Sequence, residues 1–156
     1  MDERKWIERI LAGDTQSFSC LVAKYEKMAY TIALRILENR EEAEEAVQDV
    51  FVKMYRALSD FHFDSKFSTW FYRIVYRTAL TALRQQRMFV SYEEAGPVDL
   101  SNDEVESATA LLEREDRKEM IARTLKKLPA DEALLLTLYY LEECSVEEIC
   151  QINELS

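Results

Sequence analysis

One segment of this chain combines positive charge with aromatic rings and contains no carboxylate. Residues 65–87, SKFSTWFYRIVYRTALTALRQQR, hold five Lys or Arg and no Asp or Glu, whereas the 156-residue chain has a formal net charge of −10. Guanidinium groups pair with phosphate oxygens, and aromatic rings stack on unpaired bases. Because the acidic remainder of the chain repels nucleic acid, any contact of this segment with nucleic acid would have to be local and oriented.

The spacing of the side chains predicts that this segment is an amphipathic helix. A mostly apolar, core-facing stripe recurs at helical steps: Trp70, Phe71, Ile74, Val75, Thr78, Ala79, Ala82 and Leu83. Arg73, Arg77 and Arg84 share another face, because offsets of four and seven return to one side of a helix. Tyr72 and Tyr76 lie off the stripe, which favours a DNA contact. A basic face alone is also typical of solvated surface, so the pattern leaves both interpretations open.

The rest of the chain predicts an all-α fold. Two glycines and two prolines in 156 residues are too few for the turns that sheets need. Helical periodicity predicts helices over about 2–12, 15–37, 41–58, 131–142 and 145–152. Gly13 is predicted to end the first helix, and Asp14 to cap the second. Ser145 and Glu148 have the spacing of a capping box, and Tyr55 is predicted to face the core from the third helix.

Composition predicts two small helical domains joined by an acidic linker. Residues 88–116 hold nine acids against one Arg, together with Gly96-Pro97, which is typical of a solvated tether. The predicted organisation is an N-terminal domain over 1–90, a linker over 91–112 and a C-terminal domain over 113–156.

Other functional classes find little support in the residues. No apolar run reaches the length of a membrane span, and the N-terminus lacks the apolar core of a signal peptide. The carboxylate cluster at 41–49 lacks the Glu-x-x-His pairs of a di-metal bundle, and the only histidine is His62. No catalytic residue, metal or cofactor is predicted. The odd number of cysteines predicts reduced, partly buried thiols in a cytoplasmic protein: Cys20, Cys144 and Cys150.

Four blocks in order resemble an extracytoplasmic-function (ECF) sigma factor of bacterial RNA polymerase. They are GDTQSFSCLVAKYEKMAYTIALRIL, EEAEEAVQDVFVKMYRALSDF, KFSTWFYRIVYRTALTALRQQR and LKKLPADEALLLTLYYLEECSVEEICQINELS. The chain departs from the family pattern at Arg77, where Asn is common, and at Thr81, where Asp is frequent. The family also continues beyond the position of Ser156 into a recognition helix, so the resemblance is to a C-terminally incomplete member. We therefore expect this chain not to recognise a minus-thirty-five element.

The resemblance implies a role for each predicted domain. Residues 1–90 correspond to sigma region 2, which binds core polymerase and recognises and melts the minus-ten element. Residues 113–156 correspond to a partial helix-turn-helix region 4. The implied DNA-binding residues are Phe63, Lys66, Ser68, Thr69, Tyr72, Arg73, Tyr76, Arg77, Arg84 and Arg87. The implied polymerase-binding residues are Gln48, Asp49, Val52, Lys53 and Arg56.

The implied partners follow from these roles. They are core RNA polymerase, through the clamp coiled coil of its largest subunit, promoter DNA as duplex and as non-template single strand, and an anti-sigma factor, without membrane insertion. The alternative is an acidic helical adaptor, or an anti-sigma-like module, that binds only protein. Such an adaptor explains the net charge but leaves the acid-free residues 65–87 unexplained.

Overall fold

The computed structural model of the chain describes residues 2–90, 117, 120–121, 123–125, 127–140 and 142–153. Helices are the only regular elements among these residues, which confirms the predicted all-α class. The helices described from end to end are α1 Glu3–Leu11, α2 Thr15–Leu37, α3 Arg40–Ala57, a 3-10 turn Leu58–Asp60, α4 Phe67–Val90, α5 Ala130–Tyr140 and α6 Val146–Asn153. Residues 117, 120–121 and 123–125 are helical too. The predicted acidic linker, 91–112, lies outside the described residues. Within the described ranges, no helix combines the length and the hydropathy needed to cross a bilayer.

The helix ends follow the local sequence. Gly13 has φ 98°, and the amides of Gly13 and Asp14 donate to carbonyls of the last turn of α1, as in a Schellman motif. Asp14 then caps α2, because its Oδ1 accepts the Gln16 amide at 2.9 Å. Before α6, the Glu148 carboxylate accepts the Ser145 amide at 2.7 Å, and Ser145 Oγ accepts the Glu148 amide at 3.2 Å. These contacts confirm the predicted caps.

Helices α2, α3 and α4 pack on one another around a continuous apolar core. Fully buried side chains from all three helices fill it, including Leu21, Ile32, Val50, Met54, Phe71 and Val75. An aromatic cluster made by Tyr25, Phe61, Phe67 and Phe71 closes the end at which α4 begins. Helix α1 is attached through buried Ile7 and through Glu3, whose carboxylate accepts a hydrogen bond from the Tyr25 hydroxyl. This core fixes the direction of α4.

The C-terminal helices share that core. Helix α5 packs against α2, and α6 packs against α4. Four of their buried side chains, and Cys144 between them, belong to the same apolar cluster as Phe71: Leu134, Leu138, Ile149 and Ile152. The predicted domain bounds remain a prediction, but the described parts of the two predicted domains are packed together.

Candidate nucleic-acid and polymerase interfaces

Helix α4 keeps the predicted arginines at the protein surface. Arg77, Arg84 and Arg87 are exposed, and Arg73 is half-buried. The Arg73 Nε donates to the backbone oxygen of Gln151 in α6 at 3.2 Å. The guanidinium groups are therefore outside the core, where they can reach a phosphate backbone.

The prediction that Tyr72 lies off the core stripe is wrong. Its side chain is 2% exposed, its ring packs against Phe71 and Tyr25, and its hydroxyl donates to Glu142 Oε2 at 2.5 Å. The physical reason is that α4 is covered on two sides, by the N-terminal core and by α6, so its buried arc is wider than one stripe. Burial, and then the hydrogen bond to Glu142, raises the pKa of Tyr72 far above its ordinary value. Its contact with DNA stays a prediction.

Two other predicted DNA contacts on α4, Thr69 and Tyr76, are also covered by neighbouring parts of the chain. Thr69, a predicted DNA contact, is 1% exposed, and its Oγ1 has no hydrogen-bond partner among the described residues. Tyr76 is half-buried against the core. Phe71 is fully buried, as predicted, whereas Trp70 is only half-buried and packs its ring 5.0 Å from that of Phe61.

The loop before α4 presents an aromatic ring to solvent. Phe63 is 40% exposed and adopts φ 61°, a left-handed conformation that is uncommon for a residue other than glycine. Its ring packs 4.8 Å from the Phe61 ring, and the Arg4 guanidinium carbon lies 5.0 Å from its centroid. A partly exposed aromatic ring of this kind can stack on an extruded base. Arg4 was not predicted here, because its place beside Phe63 depends on how α1 packs.

Lys66 and Ser68, the other predicted contacts near this loop, lie at the start of α4. Lys66 is exposed, and its Nζ lies 3.0 Å from Glu148 Oε1. Ser68 is half-buried. The pKa of Glu148 is lowered by the hydrogen bond from the Ser145 amide and then by Lys66, and the same pair raises the pKa of Lys66. The Lys66 side chain is 69% exposed, so the pair contributes little stability by itself.

The predicted polymerase-binding residues all lie on the exposed face of α3. They are Gln48, Asp49, Val52, Lys53 and Arg56. Val52 is 47% exposed, although it is a branched apolar residue. Lys53 Nζ lies 3.9 Å from Asp49 Oδ2, an exposed pair that costs little to separate.

Tyr55, predicted to face the core, is 51% exposed, and that prediction is wrong. Its ring makes an edge contact with half-buried Phe18, with centroids 5.1 Å apart, so Tyr55 lies at the margin of the core, beside buried Met54 and Leu58. Tyr55 and Val52 together form an exposed apolar patch on α3, and such patches mark protein interfaces. The signal missed in the sequence is that Tyr tolerates the boundary between core and solvent.

The three thiols occupy different environments. Cys20 is exposed, against the prediction of partial burial, Cys150 is half-buried and Cys144 is buried. Burial, and then the nearby carboxylates of Glu148 and Glu142, raises the pKa of Cys144 to about 11.

We expect iodoacetamide at about pH 8 to alkylate Cys20 at least about 100-fold faster than Cys144 in the native chain, because a buried thiol with a raised pKa is almost entirely protonated. Mass spectrometry of quenched samples measures both rates. In urea the two rates should converge, and equal rates in the native chain would contradict the burial of Cys144.

Known proteins are similar to this chain in sequence and in fold. A family model for Sigma-70 region 2 matches residues 21–88. The chain is 32% identical to the RNA polymerase sigma-H factor of Pseudomonas aeruginosa, over 97% of this chain and 82% of that protein. It is 31% identical to the ECF RNA polymerase sigma-E factor of Escherichia coli, over 95% of this chain and 81% of that protein. In fold it is similar to CnrH, solved in complex with the cytosolic domain of CnrY, with a TM-score of 0.64 at 22% identity over 99% of this chain and 84% of CnrH.

These matches place the helical bundle α2–α4 in the class of sigma region 2 domains. Since relatives above 30% identity extend over nearly the whole chain, the resemblance is not confined to that domain. The chain belongs to the ECF family of bacterial sigma factors.

Proposed function

We propose that this chain directs bacterial RNA polymerase to promoters and assists strand opening, with α4 and the preceding loop as its DNA-binding element. The observation that carries this is the acid-free helix α4, which displays exposed Arg77, Arg84 and Arg87 beside the solvent-exposed ring of Phe63. The names of the sigma-H and sigma-E relatives support the same role. Cytoplasmic location follows from it, because polymerase and promoter DNA are there.

The proposed mechanism divides strand opening between charge and stacking. The arginines of α4 follow the phosphate backbone and fix the register of the strand. Phe63, with Tyr76 at the edge of the helix, receives a base of the non-template strand. Stacking contributes roughly 1–3 kcal/mol per base. Extruding a base costs a few kcal/mol, so capture offsets the cost of opening the duplex.

The second part of the proposal assigns the exposed face of α3 to core polymerase. Val52 and Tyr55 supply an apolar centre, and Lys53 and Arg56 supply a charged rim. This composition is typical of a protein interface, in which apolar and aromatic anchors are surrounded by polar residues. The clamp coiled coil of the largest subunit is the partner that the family resemblance implies, and an anti-sigma factor is proposed to compete for the same surfaces.

Run-off transcription tests the proposal directly. We expect the full chain to make core polymerase initiate at a defined start site on DNA from upstream of its own operon, and polymerase without the chain not to do so. A polymerase pull-down, performed in parallel, separates the alternative function. An adaptor would bind polymerase yet direct no initiation, and that result would overturn the proposal.

A further inference from the structure

The end of the described chain lies on the face of α4 that is proposed to bind DNA. Residues 142–153, which we call the acidic segment, carry four glutamates and include α6. Three polar contacts join the two, each between a predicted DNA-binding residue and an oxygen of the segment: Tyr72 Oη with Glu142 Oε2 at 2.5 Å, Lys66 Nζ with Glu148 Oε1 at 3.0 Å, and Arg73 Nε with the Gln151 carbonyl at 3.2 Å.

The chemistry of these contacts is that expected for nucleic acid. A phenol, an ammonium and a guanidinium donate to oxygen acceptors, two of which are carboxylates, and the same donors pair with phosphate oxygens. The acidic segment therefore offers α4 the type of acceptor that a DNA strand would offer. A strand would therefore compete with the segment for donors of Lys66 and Arg73.

Apolar side chains keep the segment in place. Cys144, Ile149 and Ile152 are buried in the cluster that includes Tyr72. The polar part of the contact is incomplete, however. Thr69 lies on the same face of α4 as Lys66 and Arg73. Its Oγ1 is buried and has no hydrogen-bond partner among the described residues, and the same is true of Asn153 Oδ1. Unpaired buried polar atoms destabilise the packing of the acidic segment on α4. The equilibrium between a closed chain, with the segment packed on α4, and an open chain, with the segment released, can therefore be shifted.

We infer that the acidic segment is an intramolecular competitor of promoter DNA: the isolated chain is closed, and residues 142–153 must leave α4 before Lys66, Tyr72 and Arg73 contact a strand. The inference rests on the proposed function, since it concerns the same DNA-binding face. In a closed chain only the open fraction binds DNA, so the apparent affinity falls in proportion to that fraction. Tyr72 and Thr69, buried in the closed chain, become available as the segment leaves.

The first test compares two doubly substituted full chains of equal net charge. Glu142→Gln with Glu148→Gln removes both carboxylates that contact α4, and Gln at 148 still completes the capping box of α6. Glu143→Gln with Glu147→Gln changes two exposed neighbours instead. Fluorescence anisotropy with labelled single-stranded DNA of randomised sequence measures affinity. We expect E142Q/E148Q to bind at least about fivefold more tightly than E143Q/E147Q. Equal affinities would overturn the inference.

The second test follows the segment itself through Cys144. In a chain carrying Cys20→Ser and Cys150→Ser, the alkylation rate of Cys144 reports release of the segment, because Cys144 is buried in the closed arrangement. We expect E142Q/E148Q to raise severalfold, without DNA, the rate constant of the Cys144 thiolate itself, taken from a pH profile because losing the two carboxylates also lowers the pKa of this thiol. Saturating single-stranded DNA should raise the same rate constant in the parent chain. Tight DNA binding with undiminished protection of Cys144 would show that strand and segment do not compete.

The two tests separate this inference from the proposed function. If run-off transcription succeeds while E142Q/E148Q changes neither DNA affinity nor Cys144 alkylation, the competition is wrong and the sigma function stands. If E142Q/E148Q exposes Cys144 but no variant binds DNA or supports initiation, the proposed DNA-binding face is wrong, and the inference is overturned with it.

Discussion

We expect Arg73→Glu with Arg77→Glu to lower promoter opening by the reconstituted holoenzyme about 100-fold or more, with core polymerase binding unchanged. Hydrogen bonds to charged groups contribute roughly 1.5–3 kcal/mol each, so losing two such phosphate contacts corresponds to at least that factor. Both side chains project from α4 outside the core, so their replacement leaves the packing of Phe71 and Val75 intact. Permanganate reactivity of unpaired thymines measures opening, and co-purification measures polymerase binding.

The matched control reverses two cations elsewhere on the surface. Lys5→Glu with Lys27→Glu changes the net charge equally, but both lysines are exposed on α1 and α2. Promoter opening by this control should stay within about twofold of the parent, since distant surface charges are screened. Equal loss of opening and of polymerase binding in R73E/R77E would instead assign these arginines to folding. The single variant R77E is measured as well, because R73E also removes the hydrogen bond from Arg73 to the Gln151 carbonyl. R77E tests a phosphate contact without that second change.

The elements of this fold could be predicted because their signals are local. Gly13 and Asp14 mark the boundary between α1 and α2, and Ser145 with Glu148 starts α6, since each motif satisfies backbone groups within a few residues. The single apolar stripe of α4 placed Phe71 and Val75 in the core for the same reason. The periodicity of apolar residues in one helix therefore predicts which face of that helix packs against the main core.

The parts that could not be predicted depend on contacts between residues distant in sequence. The sequence predicts that Tyr72 lies off the core-facing stripe of α4, yet its side chain is buried and its hydroxyl contacts Glu142, in the segment that leads into α6. Periodicity within one helix cannot show that two partners cover it from different directions. The same limitation applies to Arg4, which reaches Phe63 only because α1 packs beside the loop. The prediction for Tyr55 fails in the opposite sense: Met54 and Leu58 on the same stripe are buried, whereas Tyr55 lies at the margin of the stripe and contacts only the rim of the core through Phe18.

The uneven distribution of charge along the chain brings two oppositely charged segments into contact in the fold. The acid-free segment and the acidic C-terminal residues are opposite in charge, and in the structure they meet at Lys66 and Glu148. A basic surface that can bind phosphate also attracts carboxylates of its own chain, because Lys and Arg donors pair with both groups. A chain with a net charge of −10 can therefore carry both the proposed DNA-binding surface and the proposed competitor for that surface.

A second large loss of transcription is expected from Val52→Asp with Arg56→Glu. Val52 is an exposed apolar residue at the centre of the α3 face, and Arg56 is an exposed cation one turn further on. Burying a new carboxylate in an interface and reversing a rim charge should weaken core polymerase binding at least about 30-fold, the effect typical of a central anchor residue. Neither side chain is in the core, so the melting temperature should stay near that of the parent. Polymerase affinity is measured by titration of a labelled chain.

DNA binding by the isolated chain shows whether V52D/R56E weakens polymerase binding alone. Since α3 and α4 present separate surfaces, V52D/R56E should bind randomised single-stranded DNA as the parent does, whereas R73E/R77E should not. The control Leu11→Asp with Lys27→Glu makes the same two kinds of change at exposed positions of α1 and α2, and its polymerase affinity should be unaltered. If V52D/R56E retained full polymerase affinity, the α3 face would not be the docking surface. If the control lost affinity to the same degree, the loss would reflect net charge and not the α3 patch.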